Sequence, residues 1–454
     1  NYYLAQPYLK LIKEGKVGTK ELDDKVRRIL RLIYRTTMNR NRPYGALCSE
    51  AHFAAARHIA EEGIVLLQNR NNTLPIDLNT DGRNDGLNKV KKIAVIGENA
   101  LKMMTVGGGS SSLKVKYELS PLDGIRNRVG DKAEVVYARG YVGDPSGEYN
   151  GVKSGQNLED NRSPEELMAE AVQVAKEADY VIFIGGLNKS TYQDCEDADR
   201  KELGLPYGQD AVISALAHVN RNLVVVNISG NAVAMPWVKE VPSIVQAWFL
   251  GTEAGNAIAS ILMGDVNPSG KLPFTFPVSL ADVGAHKLGE YPGIPRNDGS
   301  NIVDEKYNES IFVGYRWTDK EKITPLFPFG HGLSYTSYKY GKAVIDKNIM
   351  GDDEVLTVTV PITNIGMRAG SEIVQMYISD LKSSLPRPVK ELKGFSKVSL
   401  EPGETKKVTF TINKEALSFF DDVRHEWIAE PGIFKAIIAA SATDIRSSVI
   451  FEYK

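Results

Sequence analysis

The stretch Tyr180-Val-Ile-Phe-Ile-Gly-Gly-Leu187 decides the fold of this 454-residue chain. It is a short apolar run, and such runs are typical of a strand buried on both faces of a sheet. The loop that follows, residues 188–206, reads Asn-Lys-Ser-Thr-Tyr-Gln-Asp-Cys-Glu-Asp-Ala-Asp-Arg-Lys-Glu-Leu-Gly-Leu-Pro, and a helical pattern resumes near Tyr207. The loop therefore lies at the carboxyl end of a central parallel strand, where open α/β sheets bind their ligands.

This acidic loop carries five carboxylates within nine positions. They are Asp194, Glu196, Asp197, Asp199 and Glu202. Carboxylates that lie close together raise one another's pKa, and a raised carboxyl pKa is what a general acid requires. The pattern also fits a solvated loop whose charges form structural ion pairs. The loop is thus a candidate catalytic site, with a solvated acidic loop as the alternative.

Apolar strands and helical stretches alternate around this run. Strands are predicted at 93–97, 133–137, 223–227 and 244–249, and helices at 49–68, about 207–219 and about 252–263. A further helix begins at Ser163-Pro164-Glu165-Glu166, a capping box with proline at the first helical position. Such alternation predicts a three-layer αβα sandwich with a mostly parallel sheet over residues 49–330.

The two ends of the chain have different patterns. Residues 1–38 are predicted to be helical and 39–48 to be a linker, because apolar residues recur every three or four positions only in the first segment. The resulting stripe consists of Leu22, Val26, Ile29, Leu30 and Ile33. After a connector at about 281–310, apolar and polar residues alternate, as they do from Leu356 to Ile362. Alternation of period two predicts a β-sandwich over residues 340–454.

The composition argues against several classes of partner. The formal net charge is −2 and 25% of the residues are charged, so neither nucleic acid nor a membrane surface is expected as a partner. No apolar run approaches the ~20 residues that span a bilayer. Cys48 and Cys195 lie far apart and form no disulfide framework or metal motif, and the six histidines lack ligand spacing. We expect no metal and no cofactor.

Two other features could belong to a binding site. Val106-Gly-Gly-Gly-Ser-Ser-Ser112 follows a strand, but it matches neither a dinucleotide-binding fingerprint nor a P-loop. It is interpreted as the flexible wall of a site or as a plain surface turn. Tryptophans can stack on sugar rings, although a single tryptophan is more often a core residue. The four in this chain are Trp237, Trp248, Trp317 and Trp427.

Four runs of sequence resemble glycoside hydrolase family 3. Three resemble its second domain: Glu62-Gly-Ile-Val-Leu-Leu-Gln-Asn69 with Leu74-Pro75, Gly264-Asp-Val-Asn-Pro-Ser-Gly-Lys-Leu-Pro-Phe-Thr-Phe-Pro277, and Pro325-Leu-Phe-Pro-Phe-Gly-His-Gly-Leu-Ser-Tyr335. The fourth, Arg387-Pro-Val-Lys-Glu-Leu-Lys-Gly-Phe395 with Leu400-Glu-Pro-Gly-Glu404, resembles its fibronectin type III-like tail. Together these runs extend the resemblance over nearly the whole chain.

The resemblance implies three parts: a (β/α)8-type barrel, an αβα sandwich and a fibronectin-like domain. Residues 1–38 resemble the last helices of the barrel, and the rest of the barrel is missing, so the chain looks like an excised or processed segment. In the family the nucleophilic aspartate comes from the barrel, and no residue here matches that motif. The barrel of the same parent protein is therefore an implied partner.

The resemblance also implies a general acid/base. The family motif Glu-x-Glu-Gly-x-Asp-Arg reads Asp194-Cys-Glu-Asp-Ala-Asp-Arg200 here. Glu196 matches the second glutamate and is the implied general acid/base. Asp194 replaces the first glutamate and is the alternative, and Asp197 replaces the glycine. Asp199 and Arg200 are expected to form a local ion pair that holds the loop.

The glycine-rich loop resembles a family segment that borders the active site, so Ser110 and Ser111 are expected to contact substrate. The implied function is a retaining exo-β-glycosidase of carbohydrate catabolism, and first of all a β-glucosidase. It would remove terminal non-reducing β-D-glucosyl residues from oligosaccharides or from aryl or alkyl β-glycosides. A β-xylosidase and a non-catalytic carbohydrate-binding or scaffold fragment are the alternatives. A periplasmic or secreted location is expected by analogy.

Overall fold

The computed structural model describes residues 6–78, 90–105, 107, 110, 112–144, 148–149, 152–153, 156–196 and 199–454. The chain divides into two compact units, residues 1–50 and residues 51–454. The first unit contains two helices, α1 (Gln6–Lys13) and α2 (Lys20–Arg35). Neither helix has a buried residue. The residues of the stripe from Leu22 to Ile33 are between 37% and 60% exposed.

The second unit begins with an α/β part. Its elements in chain order are α3 (Glu50–Gly63), β1 (Val65–Asn69), β2 (Lys92–Ile96), α4 (Pro121–Val129), β3 (Glu134–Ala138), β4 (Glu148–Tyr149), β5 (Val152–Lys153), α5 (Pro164–Glu177), β6 (Tyr180–Gly186), α6 (Gln209–Val219), β7 (Leu223–Ile228), β8 (Ser243–Gln246), α7 (Ala254–Leu262), α8 (Gly284–Lys287), β9 (Ile294–Pro295), β10 (Val303–Asp304) and α9 (Tyr315–Glu321). The alternation of strands and helices confirms the predicted α/β class.

The main sheet has the order β1-β8-β7-β6-β2-β3. All neighbours are parallel except β1, which runs antiparallel to β8 at the edge. Helices α4 and α7 cover one face, and α5 and α6 cover the other. Every residue of β7 is buried, which is why the strands at the centre are continuous apolar runs. The predicted three-layer sandwich with a mostly parallel sheet is therefore confirmed.

The predicted helix at 49–68 is wrong in its second part. Helix α3 ends at Gly63, and the run from Val65 forms the antiparallel edge strand, in which Val65 is opposite Gln246. A short apolar run does not distinguish a strand from a buried helix by its own periodicity. Here Val65 and Leu66 are completely buried on opposite faces of the sheet, which only a strand allows.

The capping box that begins α5 is confirmed. The Ser163 hydroxyl accepts a hydrogen bond from the Glu166 backbone N–H, and the Glu166 carboxylate accepts one from the Ser163 backbone N–H. Pro164 occupies the first helical position, where no intrahelical hydrogen bond is lost.

The remainder of the second unit is a fibronectin type III-like β-sandwich. Its elements are β11 (Tyr338–Tyr340), β12 (Val344–Ile345), β13 (Ile349–Met350), β14 (Leu356–Asn364), β15 (Gly370–Asp380), β16 (Glu391–Leu400), β17 (Thr405–Ile412), α10 (Lys414–Leu417), β18 (Phe419–Asp421), β19 (Glu426–Ile428), β20 (Gly432–Ala439) and β21 (Ile445–Tyr453). One sheet contains β11, β14, β12 and β17, and the other has the order β13-β21-β20-β15-β16. The alternating apolar residues of β14 are buried between them, as predicted.

The sandwich packs against the α/β part through buried polar contacts. The Gln375 amide donates to the Gly330 carbonyl at 3.0 Å. Lys271 and Glu372 form an ion pair at 3.3 Å, with side chains only 10% and 7% exposed. These contacts explain why residues 51–454 behave as one compact unit.

Candidate active site

The acidic loop begins where β6 ends, and buried hydrogen bonds fix its starting point. The side chain of Gln209, which is completely buried, accepts from the Gly186 N–H and donates to the Gly186 carbonyl, both at 2.8 Å. Gly186 has a φ of +115°, and a Cβ atom there would lie 2.1 Å from the Ile228 carbonyl oxygen. Only glycine therefore fits at the exit of the strand.

The first turn of the loop closes on itself. The Asn188 carbonyl accepts from the Asp194 N–H at 3.0 Å, and the Asn188 side chain accepts from the Ser190 N–H at 2.7 Å. Asn188 is 2% exposed, so this turn is anchored in the protein interior. The turn leads to Asp194 and Cys195, which are partly buried, and then to Glu196, which is exposed.

Glu196 is exposed and contacts the glycine-rich loop. Its Oε2 atom accepts hydrogen bonds from the Ser110 backbone N–H at 2.9 Å and from the Ser110 hydroxyl at 2.5 Å. These two hydrogen bonds lower the pKa of Glu196. The structure thus brings together two segments that the sequence singled out separately. Ser111 and Asp197 lie outside the described residues.

Asp194 lies in a different environment from Glu196. It is partly buried and accepts from the Gly230 N–H at 2.6 Å and from the Asn231 side-chain amide at 2.7 Å. Burial raises the pKa of Asp194, and the Gly230 hydrogen bond together with the charges of Arg200 and Lys189 opposes that rise. The expectation that crowding would raise the pKa across the loop is therefore wrong for Glu196. The two side chains take separate partners: the hydrogen bonds from Ser110 lower the pKa of Glu196, whereas burial raises the pKa of Asp194.

Asp199 and Arg200 do not pair with each other in the described structure, contrary to expectation. Asp199 accepts a hydrogen bond from the Tyr291 hydroxyl. Arg200 donates to the Asn231 side chain and to the Ala232 carbonyl, both at 2.6 Å. Both residues still hold the loop, but they attach it to two different segments that are distant in sequence.

A cleft of about 490 Å³ opens beside the acidic loop. Asp194, Asp199 and Arg200 of the acidic loop line it, together with Phe249, His286 and Tyr291 from elsewhere in the chain. The His286 and Tyr291 rings pack edge to face, with centroids 5.2 Å apart. The last three residues could not be predicted from the sequence, because no local pattern connects them with a loop 40 to 90 positions away.

A second cavity, of about 230 Å³, adjoins the first. Lys189 and Phe249 line both, and the Lys189 ammonium lies 3.8 Å from the centre of the Phe249 ring. Burial lowers the pKa of Lys189, against the attraction of Asp194. Gly107, a described residue of the glycine-rich loop, and Trp248 line this second cavity. Trp237 and Trp317, by contrast, are core residues.

The described residues contain no group of three or more His, Cys, Asp or Glu side chains arranged to hold a metal ion. Neither Cys48 nor Cys195 takes part in a disulfide. None of the described helices combines the length and the apolar character needed to cross a bilayer.

Comparison with known proteins agrees with this architecture. The family profile described as Glycosyl hydrolase family 3 C-terminal domain matches residues 64–335. The chain belongs to glycoside hydrolase family 3. A profile described as Fibronectin type III-like domain matches residues 372–442. The two matches coincide with the α/β part and with the sandwich that the structure shows.

Relatives in glycoside hydrolase family 3 are longer than this chain. Beta-glucosidase BoGH3A from Bacteroides ovatus is 49% identical over 461 residues, which cover 100% of this chain and 58% of that protein. The periplasmic beta-glucosidase of Salmonella typhimurium is 36% identical, over 96% of this chain and 56% of that protein. The crystal structure of the Bifidobacterium adolescentis family 3 beta-glucosidase superimposes with a TM-score of 0.83 at 30% identity, over 98% of this chain and 60% of that one. The chain therefore spans little more than half the length of the relatives it matches.

Proposed function

We propose that this chain is the acid/base-bearing part of a retaining exo-β-glucosidase. The parent protein would remove terminal non-reducing β-D-glucosyl residues from oligosaccharides or from aryl or alkyl β-glucosides. One observation carries the proposal: Glu196, at the motif position of the family's acid/base, directly follows the cleft-lining residues Asp194 and Cys195 in the loop after β6 and is held by Ser110. The resemblance of the whole chain to proteins named beta-glucosidases supports the choice of sugar.

In this proposal Glu196 acts twice. It first donates its proton to the glycosidic oxygen as the leaving group departs, and it then removes a proton from the water that hydrolyses the glycosyl-enzyme. The two hydrogen bonds from Ser110 favour the carboxylate, which is the form needed for the second step. A negatively charged nucleophile about 5–5.5 Å away would raise the pKa of Glu196 before the first step. Formation of the covalent intermediate removes that charge and returns Glu196 to its basic state.

The nucleophile is proposed to come from a barrel in the same parent protein. The apolar stripe of α2 supports this arrangement, since its residues are exposed within their own unit and require a covering surface. The greater length of the relatives also supports it. Assayed alone, the 454-residue chain is expected to hydrolyse no aryl β-glucoside. A periplasmic or secreted location is proposed with it, as the name of the Salmonella relative suggests.

The proposal is tested in the parent protein with its barrel. Glu196→Gln should lower kcat/KM for an aryl β-glucoside with a poor leaving group by about 10²–10⁴-fold, because the leaving oxygen is no longer protonated. Azide should restore turnover and yield a β-glucosyl azide, which also reports retention. The matched control is Glu240→Gln, an exposed carboxylate of the same α/β part that lines neither cavity, which should stay within a few-fold of wild type.

Near-normal activity of Glu196→Gln would move the role to Asp194, and Asp194→Asn is the variant to compare. A specificity measurement on aryl β-xylosides separates the two sugars, since a β-xylosidase would prefer the xyloside. Turnover by the isolated chain would contradict the assignment of the nucleophile to a barrel.

A further inference from the structure

A hairpin of the fibronectin-like sandwich presents two aromatic side chains to solvent. Strands β18 and β19 are antiparallel, and Phe420 lies directly opposite Trp427. The two rings pack edge to face with centroids 5.7 Å apart. Trp427 is 70% exposed and Phe420 is 47% exposed. A large indole left this open is unusual, because burial of such a ring would ordinarily contribute to stability.

The exposed indole lines two neighbouring clefts. One has a volume of about 850 Å³ and is lined by Thr411, Asn413 and Ser418. The other has a volume of about 760 Å³ and is lined by Ser384, Glu426 and Glu430. Trp427 and Lys414 line both. Both volumes lie within the roughly 300–1,000 Å³ range that is typical of ligand sites.

The charged side chains that line the two clefts are of both signs: Lys382, Lys393, Lys414 and Arg424 on one hand, and Glu415, Glu426 and Glu430 on the other. Lys414 forms an ion pair with Asp352 at 2.7 Å, and Arg424 forms one with Asp421 at 3.4 Å. Glu430 accepts a hydrogen bond from the Ser384 N–H at 2.9 Å, and its pKa is lowered by Ser384. Such a surface offers donors and acceptors without an excess of one charge. It is therefore poorly suited to nucleic acid or anionic lipid, which bind to surfaces with a clear excess of positive charge.

We infer that Trp427 is the stacking platform of a glycan-binding site that takes a neutral polysaccharide chain across the two clefts. One face of a β-linked glucosyl ring presents only C–H groups, which pack on the apolar face of an indole. The equatorial hydroxyls of the same ring point outwards, towards the polar groups that line the clefts on either side. The choice of a β-glucan as the chain rests on the proposed function, whereas the site itself rests on the geometry of Trp427 and its clefts.

Two competing roles for the exposed aromatic pair lead to different outcomes. A cross-strand aromatic pair can simply stabilise a hairpin. In that case the contact between Phe420 and Trp427 would contribute to the stability of the fold, and Trp427 would bind no ligand. An exposed tryptophan can also anchor a protein interface. The exposed apolar side chains of this hairpin are the two rings and Val423, and charged and polar side chains line the two clefts that share Trp427, whereas the core of a protein interface is a continuous apolar patch.

The test is affinity electrophoresis of the 454-residue chain in native gels that contain mixed-linkage β-glucan or xyloglucan, with α-linked dextran as the specificity control. The wild-type chain should be retarded by the β-glucans, and Trp427→Ala should weaken that retention at least about tenfold. Trp427→Phe should keep most of it. Phe395→Ala is the matched control, because Phe395 is equally exposed, at 70%, on the same sandwich but lines neither cleft.

Trp427→Met separates stacking from hairpin stability, since it keeps an apolar side chain against Phe420 but removes the flat ring. It should lose retention while keeping the wild-type melting temperature. Equal mobility of wild type and Trp427→Met in every gel would overturn the inference. So would a Trp427-dependent dimer, seen by light scattering, without any retention by glycan. The assay needs no turnover, so its failure would leave the proposed function standing, and an inactive parent enzyme would leave this site standing.

Discussion

Ser110 and Glu196 are 86 positions apart in the chain, yet both the backbone N–H and the hydroxyl of Ser110 donate to one carboxylate oxygen of Glu196. The contact links Ser110 of the glycine-rich loop to the acidic loop and fixes the orientation of the Glu196 carboxylate. It also sets the protonation preference of Glu196, because hydrogen bonds to the charged form lower a carboxyl pKa.

Ser110→Ala should raise the pKa of Glu196, since the side-chain hydrogen bond is the largest cause of its lowering and the backbone hydrogen bond remains. In the parent enzyme the acid form of Glu196 is needed for the first step, so the alkaline limb of the kcat/KM profile should move to higher pH. Ser112→Ala, a change of the same kind at an exposed position of the same loop, should leave the limb in place. An unchanged pH profile in Ser110→Ala would show that the Ser110 hydroxyl does not lower the pKa of Glu196.

Asp194 should make stability depend on pH in a defined direction. Burial raises its pKa above 3.8, so the folded protein binds this proton more tightly than the unfolded chain does. The contribution of Asp194 is complete below the unfolded pKa and is lost as the pH rises through the folded pKa. The free energy of unfolding should therefore fall more with rising pH in wild type than in Asp194→Asn.

Urea unfolding of both proteins at several pH values from about 4 to 7 measures this difference. Glu202→Gln serves as the control, because Glu202 is an exposed carboxylate of the same loop. Parallel curves for wild type and Asp194→Asn would contradict a raised pKa at Asp194.

Gly186→Ala should destabilise the protein by more than about 4 kcal/mol or prevent folding. Its φ of +115° disfavours any side chain, and the new Cβ would overlap the Ile228 carbonyl at the exit of β6. Gly208→Ala is the matched comparison, because Gly208 also has a positive φ, +69°, but no atom lies within 4 Å of its Cβ position. That change should cost only about 1–2 kcal/mol. Similar losses of stability in the two variants would show that the contact at Gly186 is not what excludes a side chain.

Gln209→Leu should cost about 2–4 kcal/mol of stability. It leaves both the N–H and the carbonyl of Gly186 without their buried partner, and each such group costs about 1–3 kcal/mol. The midpoint of urea unfolding should fall with little change in slope. Gln173→Leu, on the exposed face of α5, should change stability by less than about 0.5 kcal/mol.

Tyr291→Phe should weaken the attachment of the acidic loop. The hydroxyl of Tyr291 donates to Asp199, and its loss frees the loop from the segment that carries His286. Because this contact is exposed, the effect on stability should stay below about 1 kcal/mol, while kcat/KM of the parent enzyme should fall several-fold through a misplaced Glu196. A double-mutant cycle with Asp199→Asn measures the coupling, and additive effects would argue against the contact.

The sequence by itself determined the features that depend on neighbours along the chain. Five apolar runs became the parallel strands of the sheet, Ser163 and Glu166 became a capping box, and the alternation from Leu356 became a sandwich strand. The acidic loop follows β6 as predicted, because the segment after a buried parallel strand begins at the carboxyl end of the sheet. These outcomes follow from periodicity and capping, which are local.

Only the tertiary structure decided which residues distant in sequence contact one another and in which direction the pKa of each carboxyl group is shifted. The residues from Val65 form an edge strand because they pair with β8 and bury side chains on both faces of the sheet. The periodicity of this short run does not by itself distinguish a strand from a helix. Tyr291 reaches Asp199, and Ser110 reaches Glu196, across separations that sequence spacing cannot measure. The pKa of Asp194 rises and that of Glu196 falls, although the two are two positions apart, because burial and hydrogen bonding act through space.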